Sequence, residues 1–162
     1  MKWIKKGLIY TPDINTWWSK YYGLMPTPEM VDEHRLRIYF ATTDQNRFGR
    51  IAYIEVDSQD PGKILDISPE PVLDIGKMGT FDDCGVAPSC VINYGGKKFL
   101  YYVGFQRAER VPYMLFTGLA VSDDGGRSFK RYSKAPILER NRNKYISIAA
   151  PYILCMDGIY KM

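Results

Sequence analysis

Two adjacent carboxylates, Asp82 and Asp83, stand just upstream of Pro88 in the run Gly79-Thr80-Phe81-Asp82-Asp83-Cys84-Gly85-Val86-Ala87-Pro88-Ser89. Neighbouring acids oppose each other's ionisation, so one can keep a proton near neutral pH and deliver it. The plainer role for the pair is structural, with Asp83 capping the turn into a strand and Asp82 facing water. A second constellation is Asp13 with Trp17 and Trp18. Indole faces stack on sugar rings and a carboxylate accepts from hydroxyls, although the same two indoles also suit core packing. Three cysteines, Cys84, Cys90 and Cys155, have no metal-ligand spacing and leave an odd number. They read as reduced thiols serving as small apolar residues. The lone histidine, His34, falls in Asp32-Glu33-His34-Arg35, a hairpin turn in which exposure is expected rather than proton transfer. These residues call for no metal and no organic cofactor.

The elements that must position these groups are written as a repeat. Val56, Ser68, Pro71, Leu73 and Asp74 recur at one constant offset as Val121, Ser133, Pro136, Leu138 and Glu139. Pro88-Ser89-Cys90-Val91-Ile92, followed by Gly95-Gly96, returns as Pro151-Tyr152-Ile153-Leu154-Cys155, followed by Asp157-Gly158. Pro26 or Pro28 begins a matching run before Arg35. Turn residues and aromatic-rich apolar runs place strands at 88–92, 98–105, 114–121 and 129–132. The preceding unit repeats them at 29–31, 35–42, 50–56 and 64–67. The last unit holds a first strand at 150–155 and the start of a second at 159–162. Residues 3–9 resemble a fourth strand placed at the front, able to complete the last unit if the ring closes. No segment keeps a period of 3.6 over helix length, so almost no helix is expected.

Four antiparallel strands per repeat make a propeller blade. The fold class is therefore all-β, a β-propeller of about two and a half blades at approximately 24–74, 85–139 and 148–162. An array that stops part-way leaves an unpaired edge, so truncation and self-association through exposed blade edges are expected.

Composition bounds the function classes. At 162 residues, 46% hydrophobic and 25% charged, the chain is globular rather than disordered. The net charge of +4 is spread along the sequence, apart from a short cluster at Arg140, Arg142 and Lys144. That cluster reads as a solvated loop, so no nucleic-acid partner is expected. Neither a signal-length apolar run nor a membrane span is present, which favours a cytoplasmic protein without membrane insertion.

Ser122-x-Asp124-x-Gly126-x-Ser128-Phe129 matches the Asp-box of sialidase-type propellers. Its chemistry is local. The Asp124 carboxylate accepts from turn amides, Gly126 permits a positive φ, and Phe129 plugs the blade interior. Ser122, Asp124, Gly126 and Phe129 are read as a structural turn, not a catalytic one.

The run from Gly79 to Ser89, followed by a two-strand hairpin and Ser122-x-Asp124-Gly125-Gly126, resembles the five-bladed propeller glycoside hydrolases. These comprise the clan of families 43 and 32, with the family 130 mannoside phosphorylases nearby, and the chain is most similar to uncharacterised family 32-like proteins of bacterial surface-polysaccharide gene clusters. The resemblance implies a carbohydrate ligand and carboxylates at the inner ends of first strands, because glycosidic cleavage needs a proton donor and an opposing anion or activated water. Residue by residue, the positions that carry those acids hold Met25 or Thr27, Ala87 and Ala149, none of which ionises. Asp82 and Asp83 are the acids nearest the expected place and become the candidate catalytic pair, with Asp13, Trp17 and Trp18 as candidate substrate-binding residues. A single essential Asp would suit a phosphorylase-like relative, since phosphate can supply the nucleophile. Three functions stay open: a glycan-processing enzyme of surface-polysaccharide metabolism, a non-catalytic sugar-binding or scaffold propeller, and an inactive remnant.

Overall fold

The computed structural model describes residues 2–144 and 147–162. Among them there is no helix, as the sequence pattern predicts. The first unit is a four-stranded antiparallel meander of β1 (Tyr21–Asp32), β2 (Arg35–Thr43), β3 (Gly49–Asp57) and β4 (Ile64–Ile67). The second repeats it with β5 (Gly85–Tyr94), β6 (Lys97–Gln106), β7 (Met114–Ser122) and the short β8 (Lys130–Arg131). A hairpin of β9 (Leu154–Met156) and β10 (Ile159–Lys161) follows. The two meanders meet in a single parallel bridge, Gly49 to Gly85, and the sheets do not close.

Period-two alternation explains how the first meander buries both faces. Tyr39, paired with Tyr53, turns to one side, while Phe40, paired with Ala52, turns to the other. The Tyr39 side joins Ile51, Val72, Leu73, Val86, Leu100, Tyr102 and Phe129 in a core shared by the two units. The Phe40 side packs with Trp18, Ile54 and Val56. Burial of one large apolar side chain is worth roughly 1.5–3 kcal/mol, so the shared core is the main force holding one unit to the other.

The Asp-box turn adds polar joints to that core. Asp124 Oδ1 accepts from the amides of Arg127 (2.9 Å) and Ser128 (3.0 Å), and Ser128 Oγ donates to Oδ2 at 2.6 Å. Gly126 has φ +87°, and its amide donates to Ser122 Oγ at 2.8 Å. A Cβ there would lie 2.1 Å from the Tyr39 hydroxyl, so glycine is required for packing as well as for φ. Phe129 is buried and meets Tyr39 edge-on at 5.7 Å between centroids. The turn therefore clasps the first unit: Arg37 Nη1 donates to Gly125 O at 2.5 Å and Tyr39 Oη to Gly126 O at 3.0 Å.

One expected strand is not formed and another is shorter than expected. Residues 3–9 run without secondary structure, with Trp3, Ile4 and Leu8 exposed and Gly7 at φ +119°. No described strand lies beside them to supply a ladder. The strand expected at 150–155 begins only at Leu154, because Ala150 turns to φ +57° and breaks the extended backbone. That segment is still tied to the second unit, with Ser89 Oγ donating to Pro151 O at 2.7 Å and Thr117 Oγ1 to Ile148 O at 2.8 Å.

Candidate functional site

β1 and β5 start at the same end of the molecule, and a cleft of about 490 Å³ opens where they converge. The Gly49–Gly85 bridge forms its floor. A Cβ on Gly85 would stand 3.2 Å from the Gly49 amide nitrogen, so the close strand approach depends on the two glycines. Tyr22, Phe105 and Tyr113 supply aromatic walls, and Met25, Ala87 and Val86 fill between them. The two positions where the resemblance expects carboxylates, Met25 and Ala87, thus do face this space, but as apolar side chains. Ala149, the third, is not on the lining.

The start of β1 is irregular. Its register with β2 slips between Tyr21 and Leu24 and again before Thr27, and Tyr22 and Met25 adopt φ +68° and +53°. Bulges re-aim side chains, and here they turn those of Tyr22 and Met25 into the cleft. Arg47, at φ +65°, completes this side. Its guanidinium lies 4.6 Å from the Tyr21 ring centroid and 5.3 Å from that of Tyr22, and donates to the Tyr22 hydroxyl at 2.5 Å. Three non-glycine residues in the left-handed region on one cleft wall mark backbone strain concentrated at a site. Thr43 contributes a buried hydroxyl with no hydrogen-bond partner among the described residues.

The candidate acid pair splits. Asp82 is wholly buried; its Oδ2 accepts from Arg131 Nε at 2.7 Å and Tyr102 Oη at 2.9 Å, and its Oδ1 from Thr80 Oγ1 at 2.9 Å. The expectation that it faces water does not hold: Asp82 binds the loop before β5 to β6 and β8. Burial, with the Asp82 charge beside it, pushes the Tyr102 phenol above its ordinary range. Asp83 accepts from the Gly79 amide through Oδ2 at 2.8 Å, which is the turn-capping contact, while its Oδ1 is buried without a partner. Neither acid lines the cleft, yet the next residue, Cys84, does. Burial, and then the neighbouring Asp83, push the Cys84 thiol above its ordinary range.

The second constellation also divides. Trp18 is 3% exposed and belongs to the core, as packing alone would have it. Trp17 is exposed, with Arg50 Cζ 5.1 Å from its ring centroid. The Asp13 carboxylate accepts from its own turn, from Asn15 N at 2.9 Å and Nδ2 at 3.0 Å. Asp13 and Trp18 share a separate hollow beside Ile67 and Ser68, away from the convergence of β1 and β5. His34 is exposed in its hairpin turn, as expected.

Three buried acids were missed: Asp44, which pairs with Arg50 at 2.8 Å, Glu55 and Glu29. Glu55 takes Arg37 at 2.5 Å and Arg35 at 3.0 Å, and Glu29 takes Lys98, Asn93 and Tyr39. Arg37 and Glu55 pair directly across β2 and β3, a signal legible once those two strands are aligned. Glu29 meets Lys98 across the two units, which no local pattern announces. All three are neutralised joints rather than free acids. No cluster of three or more metal-ligating side chains occurs among the described residues, and no described helix is long and apolar enough to cross a membrane.

No protein-family model matches the chain. Two uncharacterised proteins of Mycobacterium tuberculosis, from strains CDC 1551/Oshkosh and ATCC 25618/H37Rv, are each 35% identical over all 162 residues. The chain spans 54% of their length. Among solved structures, it is similar to a member of the family 130 group of mannoside phosphorylases and β-1,2-mannoside-targeting hydrolases, at TM-score 0.67 and 13% identity over 94% of this chain and 46% of that one. A glycosyl hydrolase from Bacteroides ovatus gives 0.62 and 13% over 85% and 42%. A family 43 β-xylosidase/α-arabinofuranosidase from a compost metagenome gives 0.57 and 20% over 97% and 45%. The fold is that of the propeller glycoside hydrolases, over about two and a half blades.

Proposed function

We propose that the chain supplies blades, at 24–74, 85–139 and 148–162, of a glycan-processing propeller whose carbohydrate site is the cleft between the starts of β1 and β5. The observation that carries this reading is the cleft itself, walled by Tyr22, Phe105 and Tyr113 at the place where Met25 and Ala87 replace the expected acids. Aromatic faces suit the apolar faces of sugar rings. Asp83 is the proton-transfer candidate, since its Oδ1 is unpartnered and its neighbour Cys84 lines the cleft. Asp82 serves by anchoring the loop that carries Asp83. The resemblance to proteins of surface-polysaccharide clusters supports a bacterial surface glycan, or its precursor, as substrate.

A second reading, sugar binding without turnover, is favoured by the absence of any carboxylate from the described lining. Turnover of a panel of aryl glycosides by the full-length protein, with and without phosphate, separates the two. The enzyme reading expects release of the aryl alcohol and its loss in Asp83→Asn. Binding of glycans with no turnover on any member of the panel leaves the binding reading standing.

A further inference from the structure

Among the described residues the cleft has one charged side chain on its lining, and it is a cation. Arg47 has no carboxylate within ion-pairing distance among the described residues; its contacts are the Tyr22 hydroxyl and the faces of Tyr21 and Tyr22. The acid of the same turn, Asp44, is already committed: its Oδ2 accepts from Arg50 Nη1 at 2.8 Å and its Oδ1 from the amides of Asn46 and Phe48. A second cation with no ion pair among the described residues stands beside that turn. Arg107 packs over Phe48 at 4.7 Å and donates through Nη2 to Asn46 O at 2.9 Å. Both guanidiniums are held in place by aromatic faces and backbone rather than by counter-charges. Arg47 therefore presents its positive charge on the cleft lining, while Arg107, off that lining, is exposed beside the same turn and adds to the positive potential there. A guanidinium on tyrosine faces is also pre-positioned, so little rotamer freedom is lost when it takes a ligand. The Thr43 hydroxyl is buried in the same wall with no hydrogen-bond partner among the described residues.

We infer that this cleft takes an acidic carbohydrate, with the negatively charged substituent seated by Arg47 and the sugar ring against the aromatic walls. The inference rests on the reading of the cleft as a carbohydrate site. Carboxylate and phosphate share the required chemistry, because the planar guanidinium fork binds either in bidentate fashion.

The test is calorimetric titration of the full-length protein with glucuronate, glucose 1-phosphate, inorganic phosphate and neutral glucose oligosaccharides, each at low and high salt. The acidic sugars are expected to bind at least tenfold more tightly than the neutral ones, and to weaken as salt rises. Arg47→Met, which keeps an apolar stem over the tyrosines, is expected to lose about tenfold to a hundredfold for acidic sugars alone. Arg107→Gln is expected to lose less. Whichever acidic sugar binds identifies the substituent. Equal binding of neutral and acidic sugars, or wild-type affinity in Arg47→Met, overturns the inference and leaves the carbohydrate site intact. Binding of inorganic phosphate with neither acidic sugar overturns it as well. Failure of every sugar to bind overturns both the inference and the site.

Discussion

Arg131 Nε lies 2.7 Å from Asp82 Oδ2, and the carboxylate it meets has no exposure to solvent. The pair joins the loop before β5 to β8, and Tyr102 of β6 donates to the same oxygen. An acid so held is a tie. Its neighbour Asp83 has no ion pair among the described residues and accepts from the Gly79 amide.

Asp82→Ala is expected to destabilise the protein by about 3–5 kcal/mol, because it strands a largely buried guanidinium. Tyr102→Phe is expected to cost about 1 kcal/mol. Urea unfolding measures both, and in the double variant Asp82→Ala/Arg131→Met the loss should fall short of the sum. An unchanged unfolding midpoint for Asp82→Ala, joined to lost turnover, would move Asp82 from structure to chemistry.

Asp83→Asn preserves shape and leaves the Gly79 amide its acceptor. If the full-length protein turns over a glycan, this change is expected to slow it ~10²–10⁴-fold with a near wild-type melt. Full activity clears the residue of catalysis.

Asp124 is held well below the usual carboxylate range: partial burial opposes ionisation, and bonds from Ser122, Ser128 and two turn amides outweigh it. A carboxyl with a depressed folded pKa contributes stability that is complete above its unfolded value of ~3.9 and is lost as pH falls towards the folded one. Asp124→Asn should therefore flatten the acid side of the stability–pH profile. Parallel profiles for variant and wild type, followed by denaturation from neutral to acid pH, would contradict the linkage.

The meanders were legible because strand and turn signals are local: aromatic alternation, Asn-Tyr-Gly-Gly and the Asp-box each act within a few residues. The 64–67 strand matches β4 (Ile64–Ile67) residue for residue. What was not legible depends on contacts between units. Nothing near Asp82 says that Arg131 will neutralise it, and nothing near Glu29 announces Lys98. Residues 3–9 carry strand-like composition but no partner, and a strand without a ladder does not form. Met25 and Ala87, beside Pro26 and Pro88, lie on the cleft lining, whereas its cationic side depends on the turn at Arg47, which carries no pattern.

Leu154, Met156, Ile159 and Tyr160 are all exposed on the last hairpin, as are Ile64, Leu65 and Ile67 on β4. Apolar surface gathered at two edges predicts that the isolated 162-residue chain self-associates. Sedimentation velocity should show species heavier than a monomer that grow with concentration; a monodisperse monomer would count against it.

The most direct test of the carbohydrate site is a methyl-detected NMR titration of the full-length protein with the tightest-binding glycan of a panel. A glycan seated in the cleft should shift Met25, Val86 and Ala87 so that they saturate together, with aromatic broadening at Tyr113 and silence around Asp13 and Trp17. Shifts confined to the Asp13–Trp17 surface, or no response to any glycan, would contradict it.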